Sequence, residues 1–180
     1  MRIIIDMQGA QSISSTRGIG RYTCSIVESM ARNKNGHELF IVFNGLFPDT
    51  IEPLKTLLSP YIPEENFKTW LAVGPVDSMP PENNTRRAIA EIMRETFIAS
   101  LKPDMILITS LVEGFGDNAV HSIGHTPWDI PVATIFYDVI PLILSDMYLA
   151  GNPQFKKVYL EKVAHLRNTN LLLAISDSAR

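Results

Sequence analysis

Six short segments with strand character, at residues 2–6, 39–43, 66–73, 105–109, 131–138 and 170–175, constrain the fold more than any other feature of this 180-residue chain. The first, second, fourth and fifth are nearly unbroken apolar runs, not alternations of apolar and polar residues. Such runs bury both faces of a strand, the habit of parallel sheets covered on both sides. The connecting stretches have helical periodicity. Residues 19–31 place Ile19, Tyr22, Ile26, Val27 and Met30 on one stripe, with Gly36 expected as the C-cap. Residues 48–58 carry Asp49 and Glu52 in a first turn. Residues 83–101 set Ile89, Ile92, Met93, Thr96, Phe97 and Leu101 on an expected core stripe, with Arg86, Arg87, Glu91, Arg94 and Glu95 opposite it. A last helix, 152–167, is expected to bury Phe155, Val158, Tyr159, Val163 and Leu166. The β-α-β-α order predicts an α/β fold, a doubly wound parallel sheet of about six to seven strands with right-handed crossovers, spanning residues 1–180 as one domain.

Composition narrows the function. With 46% hydrophobic and 19% charged residues the chain reads as globular, and a net charge of −3 offers no general attraction to nucleic acid. A single cysteine, Cys24, rules out an internal disulfide and a thiolate metal cluster. No apolar run reaches the roughly 18 residues of a membrane span, and residues 2–6 do not form a signal peptide, so a cytoplasmic location is expected. His121 and His125 flank Gly124 without an acidic or cysteine partner at ligand spacing, so no metal site is expected there.

In doubly wound sheets, ligands bind beyond the C-terminal ends of the strands. The loops expected to converge there are 7–21, 44–47, 110–117, 138–141 and 176–180. Within the first lies Arg17-Gly18-Ile19-Gly20-Arg21-Tyr22, a glycine-bearing turn that opens a helix. Free N–H groups and the partial positive charge of a helix start favour a phosphate there, and Arg17 and Arg21 add charge. The alternative is that Gly18 and Gly20 only shape the connection. Glu113 and Ser110 follow the fourth strand, Tyr137 and Asp138 end the fifth, and Asn44 ends the second.

Dinucleotide binding fits poorly. Its fingerprint needs Gly-x-Gly-x-x-Gly directly after the first strand, whereas here the glycines come at 18 and 20 and Thr23 replaces the third. A flavodoxin-like regulatory module is a second alternative. A receiver domain would need an acidic cluster at the first strand, where only Asp6 stands, and an aspartate on the third, where none does.

Several segments together resemble the N-terminal half of GT-B glycosyltransferases of family 4. They are Ile3-Ile4-Ile5-Asp6, the turn at 17–22, Gly36-His37-Glu38, Phe47-Pro48-Asp49, Lys102-Pro103-Asp104, Ser110-Leu111-Val112-Glu113-Gly114-Phe115, Tyr137-Asp138-Val139-Ile140-Pro141 and Ala174-Ile175-Ser176-Asp177-Ser178-Ala179-Arg180. They cover nearly the whole chain in order, and bacterial mannosyltransferase-type enzymes of O-antigen or exopolysaccharide assembly are the nearest likeness. The resemblance implies a Rossmann-like half of a two-domain enzyme. It implies retaining transfer of a hexose, with mannose a candidate, from a nucleotide-diphospho-sugar to a glycan or lipid-linked acceptor, without cofactor or metal. The main catalytic residues would lie in a C-terminal, donor-binding domain absent from these residues, so the fragment alone is expected to be inactive. Gly18, Gly20, Arg17 and Arg21 would face the donor diphosphate. Tyr137, Asp138, Glu113, Ser110 and Asn44 would face acceptor or sugar. Tyr137 stands where relatives read His, and a hydroxyl of pKa about 10 is no base at neutral pH. His165 with Lys156, Lys157, Lys162 and Arg167 would make the helix around 153–168 basic outside, offering a peripheral contact with anionic lipid.

Overall fold

The computed structural model describes residues 1–126 and 129–179. Six strands, β1 (Arg2–Asp6), β2 (Glu38–Asn44), β3 (Phe67–Trp70), β4 (Met105–Ile108), β5 (Val132–Phe136) and β6 (Leu171–Ala174), form one sheet in the order β3-β2-β1-β4-β5-β6. Every pairing is parallel, with Ile5 beside Ile41 on one flank and Leu107 on the other. The central strands are largely apolar because both faces are covered. Ile5, Ile41, Phe43 and Leu107 meet Val27, Ala31, Leu54 and Leu58 on one side. Ile4, Val42, Ile106 and Ile108 meet Ala90, Ile98, Val120 and Leu166 on the other.

The helices are α1 (Gln8–Gln11), α2 (Gly18–Arg32), α3 (Pro48–Leu58), α4 (Asn84–Ser100), the short α5 (Ile140–Ile143) and α6 (Ser145–Tyr148), and α7 (Pro153–Ala164). α2 ends at Arg32 with Asn33 as its C-cap. The expected cap at Gly36 instead belongs to the turn into β2, where Asn35 and Gly36 take φ of 46° and 81°. Asn152 caps α7 by accepting the Phe155 N–H at 3.0 Å, the expected behaviour of an N-cap asparagine.

Helix α4 overturns part of its expected orientation. Ile89, Ile92 and Met93 are 52%, 50% and 42% exposed, whereas Arg94 and Glu95 are 1% and 0% exposed. Phe97 and Leu101 still pack on the core. The reason is long-range partnering: Arg94 reaches Asp6 at the end of β1, and Glu95 accepts from Ser122 Oγ at 2.6 Å and the Thr126 N–H at 2.7 Å. Buried polar groups with such partners escape the cost of stranded ones. Tyr22 is likewise exposed, and Lys162, expected on the outer face of α7, is only 4% exposed.

Candidate functional site at the strand ends

β1 and β4 are neighbours from which the chain progresses outward in opposite directions, so the crevice beyond their C-terminal ends is the topological switch point. Two loops meet in it, 7–17 after β1 and 109–117 after β4. Gly9 lies close to both neighbours, and a Cβ there would come within 2.9 Å of Thr109 Oγ1 and 2.8 Å of Thr23 Oγ1. Its N–H donates to Thr109 Oγ1 at 3.2 Å, and Thr109 Oγ1 donates to the Asp6 carbonyl at 2.7 Å.

α2 starts at this edge. The Gly20 N–H is taken by the Ser14 carbonyl at 3.1 Å, and a Cβ on Gly20 would lie 2.1 Å from the Ser15 carbonyl oxygen. Glycine at 20 is therefore demanded by backbone packing. Gly18 has nothing within 4 Å of an added Cβ, and among the described residues the Gly18 and Ile19 N–H groups donate to no acceptor. Those two are the groups the helix start offers outward. Arg17 and Arg21 are exposed beside them and form no ion pair among the described residues.

A cavity of about 230 Å³ opens at the same edge. Ile19, Ser110, Tyr137 and Asp138 line it, with aromatic walls from Phe115, Phe155 and Tyr159. Tyr137 is held by its hydroxyl, which donates to the Thr109 carbonyl at 3.2 Å, and its ring meets Tyr22 edge-on at 5.9 Å. Burial pushes its pKa up to about 12, so it cannot ionise near neutrality. Asp138 is exposed and uses Oδ1 to accept the Ile140 N–H at 3.0 Å, which starts α5. The buried Tyr159 hydroxyl has no hydrogen-bond partner among the described residues, and burial, then the Asp138 charge, raise its pKa.

The structure thus joins Ser110, Tyr137 and Asp138 in one cavity with Ile19 of the glycine turn. Asn44 and Glu113 sit deeper. Asn44 donates to Gln8 Oε1 at 2.8 Å and to the Asn118 carbonyl at 2.9 Å, and its Oδ1 accepts the Leu46 N–H at 2.9 Å. Glu113 is 3% exposed and accepts from three serine hydroxyls. Burial raises its pKa, and those hydroxyls oppose the rise. Arg180, the end of the last quoted motif, lies outside the described residues. His125 finds an acidic neighbour after all, Glu91 at 3.1 Å, although no group of three metal-binding side chains gathers among the described residues. His121 is buried with neither ring nitrogen partnered among the described residues, and desolvation holds its pKa well below the usual value.

Sequence reasoning missed Ser12, Ser14 and Gly9, which lie in a polar loop with no periodicity. It also missed the aromatic trio, because Phe155 and Tyr159 carried only a helical core stripe. The glycine at 9, three residues after a strand, was the one local hint of close approach.

The six-stranded parallel sheet with helices on both faces defines a Rossmann-like α/β domain, and its crevice opens at a topological switch point. Over 182 aligned positions, 99% of its length, the chain is 34% identical to a serotype-specific mannosyltransferase WbdA of Escherichia coli. Two further Escherichia coli WbdA mannosyltransferases are 30% and 29% identical over 154 positions, 84% of the chain. The chain is thus similar to these mannosyltransferases along most of its own length, and it spans about a fifth of theirs, 21%, 18% and 18%. No family model matches it. No helix among the described residues is long and apolar enough to cross a membrane.

Proposed function

We propose that this chain is the acceptor-side, N-terminal domain of a retaining GT-B glycosyltransferase of family 4. The full-length protein moves a hexose, here read as mannose, from a nucleotide-diphospho-sugar to a glycan or lipid-linked acceptor. The observation that carries the reading is the 34% identity to a mannosyltransferase over 99% of the chain. The edge site supports it on chemical grounds. Gly18 and Ile19 offer two N–H groups that have no acceptor among the described residues, and Arg17 and Arg21 offer exposed cations beside them. Together they suit the developing charge on a departing diphosphate when a second domain closes over this edge. Gly20 then contributes by letting the chain turn tightly enough to present them.

Ser110, Tyr137 and Asp138 suit an acceptor or the transferred sugar: two hydroxyls and a carboxylate amid apolar walls that stack on sugar faces. Tyr137 acts as ring and hydrogen-bonding group, not as base. The principal catalytic groups belong to the donor-binding domain in this reading, and neither metal nor cofactor is required. The 180 residues alone turn over negligibly.

A peripheral membrane contact belongs to the same reading. Lys156, Lys157 and Arg167 are exposed on and beyond α7, and the neighbouring 140–148 segment exposes Ile143 and Met147 at 74% and 75%. Cations flanking exposed apolar side chains favour an anionic interface. Lys162 takes no part, being buried.

The test is transfer from GDP-mannose by the full-length protein to glycan and polyprenyl-linked acceptors, with product anomericity read by NMR. Retained configuration is expected, with the donor KM raised roughly tenfold in an Arg17→Ala/Arg21→Ala double variant. Absence of transfer from any nucleotide-diphospho-sugar, or steady turnover by the 180 residues alone, would overturn it. Vesicles containing phosphatidylglycerol should retain the full-length protein and lose it on Lys156→Glu/Lys157→Glu substitution; binding indifferent to both changes would remove the membrane contact.

A further inference from the structure

Glu113 reaches from the loop after β4 to the loop after β1, and its carboxylate is spent entirely on serines. Ser110 Oγ donates to Oε1 at 2.9 Å, and Ser12 Oγ and Ser14 Oγ donate to Oε2 at 2.9 and 3.0 Å. Ser14 passes this anchorage on through its own backbone. Its carbonyl accepts the N–H groups of Arg17 at 2.9 Å and Gly20 at 3.1 Å. Asp117 adds a second tie, Oδ2 accepting the Ile13 N–H at 2.6 Å. The N-cap of α2, Arg17, makes no side-chain capping bond. The first turn of α2 therefore hangs from the 110–117 loop, not from a cap of its own.

We propose that Glu113 is a positioning residue for diphosphate recognition: by gripping Ser12 and Ser14 it sets the direction in which the free Gly18 and Ile19 N–H groups point. The inference rests on the reading of α2 as the diphosphate-facing wall and adds to it a residue that touches neither donor nor acceptor. An exposed carboxylate near a diphosphate would repel it. Here hydroxyl donors cover both oxygens, and burial keeps the group away from the ligand. What Glu113 supplies is preorganisation, since N–H groups already aimed at the leaving phosphate need no rearrangement during transfer. Glutamine keeps the volume but replaces one acceptor oxygen with a donor. Its oxygen serves Ser12 and Ser14 only with its nitrogen turned to Ser110, whose hydroxyl must then accept, and the charge that strengthened all three bonds is gone.

The test is titration of the full-length protein with GDP and UDP and, separately, with guanosine and uridine. Glu113→Gln and Ser14→Ala are each expected to weaken the preferred diphosphate about tenfold, one charge-assisted contact's worth, while nucleoside affinity stays within about twofold. Ser110→Ala, bonded to the other oxygen, should weaken the diphosphate less than about threefold. A domain merely loosened by substitution would lose nucleoside and diphosphate affinity alike, and that result overturns the proposal. So does diphosphate affinity unchanged in both variants while the wild type binds. Ser14→Ala decides alone if Glu113→Gln does not fold. A wild-type protein that binds neither nucleoside diphosphate overturns the transferase reading, and the inference falls with it.

Discussion

Arg94, midway along α4, holds Asp6 at the end of β1 through one carboxylate oxygen: Nε donates to Oδ2 at 2.6 Å, and Nη2 lies 2.6 Å from the same atom. Arg94 also donates Nη1 to the Ser122 carbonyl at 3.1 Å, and Asp6 accepts the Gln8 N–H and the Gln8 Nε2 amide, each at 3.1 Å. The pair is shut off from water yet richly bonded, which is the condition under which a buried ion pair is tolerated. It pins the covering helix to the strand from which the glycine loop departs.

Removing one partner leaves a bare buried charge. Arg94→Met is expected to destabilise the protein by about 3–5 kcal/mol, and Asp6→Asn added to it should restore a substantial part. Urea unfolding of the two singles and the double forms the cycle. Additive losses would show that the two side chains do not act as a pair.

Gly18 and Gly20 should part company under mutation. Gly20→Ala forces a Cβ to within 2.1 Å of the Ser15 carbonyl and must displace the loop, whereas Gly18→Ala meets nothing within 4 Å. The expected cost is about 2 kcal/mol or more at 20 and less than about 0.5 kcal/mol at 18. Thermal unfolding compares them, and equal midpoints would contradict the close approach.

Lys162 gives a pH signature. Burial above all lowers its pKa from 10.5 to about 8, so between those values the unfolded chain binds the extra proton. Stability then rises with pH across that window, as the charged amine no longer has to be buried. By 1.36 kcal/mol per unit the rise is roughly 3 kcal/mol. Lys162→Met should be more stable than wild type at pH 7, with the advantage shrinking from about pH 8 to 10.5. Urea midpoints that differ by a constant across that range would sink this assignment.

The outward stripe of α4 makes a simpler expectation. Ile92→Asp should change stability by less than about 0.5 kcal/mol, while Ile98→Ala, on the fully buried face, should cost about 2–5 kcal/mol. Reversed magnitudes would restore the orientation that periodicity alone suggested.

The architecture was legible in the sequence because it depends on local signals. Unbroken apolar runs marked strands buried on both faces, and helical periodicity marked the segments between them. The strand-end rule then placed Ser110, Tyr137 and Asp138 at one edge, where the structure has them line one cavity. What could not be read were pairings between distant polar groups. Arg94 and Glu95 looked like solvated charges because their partners, Asp6 and Ser122, come from other elements. Lys162 looked exposed for the same reason: periodicity places a side chain on a stripe without saying what lies over that stripe. Glu113 was recognised as lying at the ligand edge, but its three serines are a tertiary arrangement that no spacing announces.

The contacts that shape the ligand edge join residues far apart in the chain: Gly9 to Thr109, Ser12 to Glu113 and Asp6 to Arg94, at separations of 100, 101 and 88 positions. Loops of that length close slowly, and their closure entropy is opposed until the contact exists. During synthesis the glycine turn therefore emerges long before the carboxylate from which it hangs. α2 can wind early, but its first turn acquires its aim only when β4 docks against β1, a timing that pulse-labelled hydrogen exchange at the Gly20 amide would register. The edge is thus born with the sheet's central pairing, and a chain that stalls short of residue 113 has a helix whose first turn nothing yet holds in place.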